Sequence, residues 1–125
     1  MCDCMKKLSG KFFKAANGHE SYDIGAAEPE LFFPVATKIQ NRFGFEPPHL
    51  PIFGLDVTYL DLIRDNVKII MGWDIWSGLF IFAEDREGDV CIREIGKYLE
   101  SISEELYLMQ EELVKRKQDI KNEVS

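Results

Sequence analysis

The chain has 125 residues and a formal net charge of −7, with 22 acidic against 15 basic side chains. This length suits a single domain, residues 1–125, with a real hydrophobic core. The acidic balance argues against a nucleic-acid partner, because binding to phosphates needs clustered lysine and arginine. No apolar run reaches the roughly 18 residues of a membrane span, so no membrane association is predicted.

Cysteine content and the N-terminus bear on the compartment. The three cysteines, Cys2, Cys4 and Cys91, cannot all pair with one another, which argues against a disulfide framework. Residues 1–14 lack the apolar stretch of a signal peptide. Together these features predict a cytoplasmic protein.

The first predicted element is a helix that follows an uncertain start. Residues 1–28 have no clear period and are predicted to be irregular or to hold a short helix. Apolar residues at helical spacing then predict a helix over 29–43, and Gly44 is a natural stop. The proline-rich stretch 45–54 predicts an extended connection.

The pattern of residues 55–83 predicts antiparallel strands. Apolar side chains at every second position from Val67 to Trp73 predict a strand that buries this one face. The segment from Leu79 to Ala83 is apolar on both faces, which predicts a central or helix-covered strand. Short turns separate the strands, so we expect a three-stranded antiparallel meander.

An apolar stripe with spacings of three and four predicts one long amphipathic helix over 89–121, with Asp89 as its N-cap. Such a helix spans about 45 Å, more than one sheet face can cover. The apolar residues of this helix that the sheet would not cover are predicted to mediate self-association in a homodimer. They are Leu106, Met109, Leu113 and Ile120. The alternative is packing of these residues against the N-terminal segment with Phe12 and Phe13. The fold class is therefore α+β, a meander covered by helices.

The most distinctive local sequence surrounds the turn between two predicted strands, from Gly72 to Phe80. Tryptophan is prominent at interfaces because it buries much area and keeps one hydrogen-bond donor. The strand pattern assigns Trp73 to the buried face and leaves Trp76 as either an exposed recognition residue or a cap over the core. The candidate protein-binding residues are Trp76, Asp74 and three acids of the next loop, Glu84, Asp85 and Glu87.

No catalytic residue, metal site or cofactor is predicted, and the chain is not expected to be an enzyme. The acidic loop 84–89 departs from the calcium-loop pattern. Cys2 and Cys4 have neither the usual zinc-ligand spacing nor a second matching pair. Neither His19 nor His49 belongs to a sequence pattern typical of a catalytic triad.

The make-up of the chain resembles that of immunity proteins encoded beside bacterial polymorphic toxins. The resemblance extends over roughly residues 28–105. It is carried by the small acidic domain, the missing secretion signal, the order of helix, meander and helix, and the tryptophan-containing hairpin 72–78. It implies a non-enzymatic cytosolic inhibitor that binds a toxin domain and blocks its active site.

Acidic charge suits a basic partner of this kind, because complementary charge speeds encounter and selects partners. Two alternatives stay open. One is a self-associating structural or adaptor protein that acts through the C-terminal helix. The other is a small enzyme with a pocket that sequence patterns do not reveal.

Overall fold

A computed structural model of the chain describes residues 6–54 and 56–124, with the backbone alone for 121–124. It has a six-stranded antiparallel sheet in the order β1-β2-β6-β5-β4-β3. The strands are β1 (Lys11–Lys14), β2 (Glu20–Ile24), β3 (Ile52–Phe53), β4 (Val57–Arg64), β5 (Val67–Asp74) and β6 (Gly78–Ala83). The helices are α1 (Phe32–Phe43), which follows a 3₁₀ turn at Pro29–Leu31, α2 (Arg86–Ser101) and α3 (Ser103–Val124).

The α+β class is confirmed, but the predicted three-stranded sheet is half of the real one. The meander of β4, β5 and β6 is present, and β6 is central because β2 pairs with its other edge. Residues 1–28 were predicted to be irregular or to hold a short helix, whereas the described part of this stretch, from residue 6 onward, contains the β1–β2 hairpin. All four residues of β1 are exposed, so pairing with β2, and not a burial pattern, makes this segment a strand.

Strand β3 forms the other edge of the sheet, opposite β1. It lies within residues 45–54, which were predicted to form an extended connection. In β3, Ile52 pairs with Tyr59 of β4, and Glu46 forms an isolated bridge with Ile63 before the prolines interrupt the ladder. Proline cannot donate to a strand ladder and is tolerated at edges, where it also blocks pairing with another chain.

One face of the sheet and the three helices form the core. In β5 this face contains Ile69 and Met71, which are fully buried, with Val67 and Trp73 half-buried beside them, as the alternation predicted. The indole N–H of Trp73 donates to the carbonyl oxygen of Ala27 at 2.8 Å. Its one polar atom is therefore satisfied inside the core.

The predicted single helix over 89–121 is two helices, and its predicted N-cap is wrong. Asp85 caps α2, because its Oδ1 accepts the N–H of Gly88 at 2.7 Å. Asp89 instead accepts the N–H of Glu20 at 2.8 Å and so connects α2 to β2. A cap carboxylate earlier in the chain allows the helix to begin at Arg86.

A break at Ile102 separates α2 from α3. The backbone there has φ −112° and ψ 21°, outside helical values. The carbonyl oxygen of Ser103 accepts the N–H of Leu8 at 3.0 Å, and the Leu8 side chain is buried. The N-terminal segment thus crosses the chain at the point where the helix changes course.

α3 uses much of its apolar stripe within the chain. Leu106 is 0% exposed, so it is not available for the self-association predicted above, and Met109 and Leu113 are half-buried. The Gln110 side chain accepts the N–H of Glu28 at 2.7 Å and donates to the carbonyl oxygen of Ala26 at 3.2 Å. The helix therefore packs on the loop before α1 and not on the segment with Phe12 and Phe13.

Candidate functional site

The second face of the sheet, which we name the open face, is not covered by any of the described helices. The core contains residues of only one side of β2, β4, β5 and β6, together with residues of all three helices. None of the described helices crosses the other side. Its apolar members include Phe13, Ile52, Tyr59, Ile70, Phe80 and Phe82.

An aromatic row crosses the centre of the open face. The ring centroids of Tyr59 and Phe80 lie 6.0 Å apart, and those of Phe80 and Phe82 lie 6.1 Å apart. Gly72 lies between Tyr59 and Phe80 in the strand register, and a Cβ there would overlap the Phe80 ring. The Phe80 ring therefore lies over Gly72 and is 9% exposed, whereas Tyr59 is 38% and Phe13 51% exposed. The row is a preformed apolar surface that needs little rearrangement to bind.

At the end of the open face near the β5–β6 turn lies a cavity of about 360 Å³. We name it the Asp23 cavity. It is lined by Ser9, Lys11, Phe13, Asp23, Gly25 and Ser77. Partial burial raises the pKa of the Asp23 carboxyl above its ordinary value, and the neighbouring carboxylate of Asp74 adds to this effect. A hydrogen bond from the hydroxyl of Ser21 to Oδ1 of Asp23 opposes it.

At the far end of the open face, charged side chains connect β4, β5 and the proline-rich segment. Lys68 Nζ lies 3.3 Å from Glu84 Oε1 and 3.6 Å from Asp61 Oδ2. The two ring nitrogens of His49 lie 2.8 Å from the carbonyl oxygen of Leu50 and 2.8 Å from Asp61 Oδ2. These two acceptors raise the pKa of His49, and the contacts hold its segment against the sheet.

The structure does not bring the predicted protein-binding residues together. Asp74 and Trp76 lie at the β5–β6 turn, whereas Glu84 follows the other end of β6. The six residues of β6 that separate the two groups span about 20 Å. Asp85 is used as the cap of α2, and Glu87 is exposed in the first turn of that helix.

The β5–β6 turn presents the exposed tryptophan. Asp74 Oδ1 accepts the N–H groups of Trp76 and Ser77, which fixes the turn. Trp76 is 81% exposed, so of the two alternatives weighed for it the structure has the exposed one. Because Ser77 lines the Asp23 cavity, Trp76 stands at the same end of the open face as that cavity.

Sequence patterns missed the aromatic row itself. The sequence feature that could have indicated this row is the pattern of β6, whose residues are apolar on both faces. That pattern predicted a central or helix-covered strand. In the structure β6 is central, and Phe80 and Phe82 on its second face are covered by one another and by Tyr59.

Metal-binding and redox groups are not gathered at this face. Among the residues that the structure describes, no three His, Cys, Asp or Glu side chains are grouped to hold a metal ion. Cys2 and Cys4 lie outside the described residues. The thiol of Cys91 is buried 3.3 Å from Arg64, and burial raises its pKa. In the described ranges we found no helix with the length and apolar character to cross a membrane.

Comparisons with known proteins assign no family. No protein-family model matches the chain, and no match was found among curated proteins or among solved structures. Function is therefore inferred from the open face.

Proposed function

We propose that this chain is a non-enzymatic protein-binding module that docks a basic partner protein on its open face. The observation that carries the proposal is the apolar surface around Tyr59, Phe80 and Phe82, over which no described helix lies. A contiguous apolar surface is unfavourable in water and is typical of interaction sites. Aromatic side chains at such sites contribute most of the binding energy.

The charges around this surface favour a basic partner. Asp23, Asp61 and Asp74 belong to the open face, where Lys11 of β1 and Lys68 of β5 are nearby cations. The whole chain carries a net charge of −7. Opposite charge on the partner would accelerate association, whereas a second copy of this chain would bring the same acids to the interface.

An immunity-type inhibitor is the specific form of this proposal. In that form the partner is a toxin domain whose active site is blocked when it lies on the open face. The exposed Trp76 at one end supports this, because a large aromatic side chain that becomes buried on binding is a typical anchor.

Self-association through α3 is a second candidate with narrower support. Ile120 is 62% exposed, which leaves one apolar residue of the predicted stripe fully available. Leu106 and Gln110, however, are already buried in contacts within the chain. The apolar stripe of α3 that remains exposed is therefore short.

Capture from a native lysate with matched variants tests the proposal. Tyr59→Asp places a charge in the aromatic row, and Leu108→Asp places the same charge on an exposed position of α3. We expect the wild type and Leu108→Asp to retain the same basic protein, and Tyr59→Asp to bind it about thirty-fold more weakly, as loss of an interface anchor does. Equal capture by all three proteins would contradict docking on the open face.

A further inference from the structure

The Asp23 cavity contains a carboxylate without a cation partner among the described residues. Asp23 lies opposite Lys11 in the β1–β2 register, and both line the cavity, yet no ion pair joins them. Lys14, the other lysine of β1, pairs instead with Glu20 at 2.7 Å. The Ser21 hydroxyl bonds to Oδ1 of Asp23, so Oδ2 stays available as an acceptor. A partly buried carboxylate of this kind gains much from a cation that reaches it.

The other residues that line the Asp23 cavity suit a long cationic side chain. Phe13 supplies an aromatic ring that is half exposed, and Ser9 and Ser77 add polar lining, with the Ser9 hydroxyl donating to Glu100 Oε2 at 2.8 Å. Guanidinium groups stack on aromatic rings, donate to several acceptors at once and lose their hydration more readily than ammonium groups. A cavity of about 360 Å³ lies at the low end of small-ligand sites and has room for an arginine side chain.

We infer that the Asp23 cavity binds an arginine side chain of the partner protein, with the guanidinium group on Asp23 Oδ2 and its plane against Phe13. This inference rests on the proposed function and names the residue that the partner contributes. Lys11 lies in the same cavity and repels the incoming cation, so it weakens the site.

Titration of the full chain with N-acetyl-arginine amide tests the site without the partner. The neutral control is N-acetyl-citrulline amide, which has nearly the same shape. We expect the arginine probe to shift the backbone amide NMR signals of Gly25 and Ser77 saturably, and the citrulline probe to leave them in place. Asp23→Asn should weaken binding of the arginine probe at least about tenfold, because a charge-assisted hydrogen bond is lost.

The variant Lys11→Met has the opposite expected sign, a several-fold gain, because it removes the competing positive charge. Titration of the Lys11→Met variant also tests the site if Asp23→Asn fails to fold. Equal shifts by both probes, or arginine binding that neither variant changes, would overturn the inference. If the arginine probe fails to bind while Tyr59→Asp still abolishes capture of the partner, docking on the open face stands and the arginine site alone is wrong.

Discussion

Ile69→Asp is expected to unfold the protein, whereas Ile70→Asp, at the next position of the same strand, is expected to leave it folded. Ile69 is 0% exposed within the core, and a carboxylate there has no partner. The cost, about 4 kcal/mol or more, is a large part of the roughly 5–15 kcal/mol that stabilises a domain. Ile70 belongs to the open face and is half-buried, so we expect about 1–2 kcal/mol there.

Urea unfolding followed by circular dichroism measures both variants against the wild type. The pair controls for strand propensity, since the side chain, the strand and the substitution are the same. Equal loss of stability at the two positions would mean that both faces of β5 are covered, and the open face would then not exist as described.

Gly78→Ala is expected to cost about 2–4 kcal/mol, against about 1 kcal/mol for Gly18→Ala. Both glycines have a positive φ, 73° at Gly78 and 86° at Gly18, so both variants carry the same backbone strain. An added Cβ at Gly18 meets nothing within 4 Å. At Gly78 it would lie 2.5 Å from the carbonyl oxygen of Ile24 and 2.7 Å from that of Gly25.

Backbone atoms of a paired strand cannot rotate away from such a contact, so β2 and β6 must shift at the end of the sheet that holds the Asp23 cavity. Thermal unfolding of the two variants gives the difference directly. Identical melting temperatures would show that the approach of the β5–β6 turn to Gly25 is not rigid.

Strand β5 was predictable because its own residues repeat with the period of a strand. β5 alternates over its whole length, and its buried face is the one that the alternation assigned. β2 buries Tyr22 and Ile24 on the core face, but Ser21 on the other face is buried too, the strand is short, and its partner β1 is entirely exposed. A hairpin with one exposed strand has no periodic signal, so only pairing with β6 identifies it.

The division of the C-terminal helix could not be read from its stripe. The apolar spacing continues through the break, from Leu99 across Ile102 to Leu106. The break coincides with a tertiary contact, the backbone hydrogen bond between Leu8 and Ser103. These two residues lie far apart in the sequence. Local periodicity has no information about such a contact.

The candidate site was predictable in part. Trp76 was singled out by its turn, and the structure has it exposed. The aromatic row was not predicted, because Tyr59, Gly72 and Phe80 lie on three different strands and meet only when these strands pair in register. Their separate sequence contexts are ordinary, and the shared surface exists only in the sheet.

The most direct measurement of docking on the open face is photo-crosslinking from defined positions. Benzoylphenylalanine replaces Tyr59 in the aromatic row or, as the control, Leu108 on the exposed side of α3, and the full chain is irradiated in native lysate. We predict an adduct with a basic protein from position 59 and none from position 108. An adduct from position 108 alone, or an adduct from position 59 with a second copy of this chain, would contradict the account.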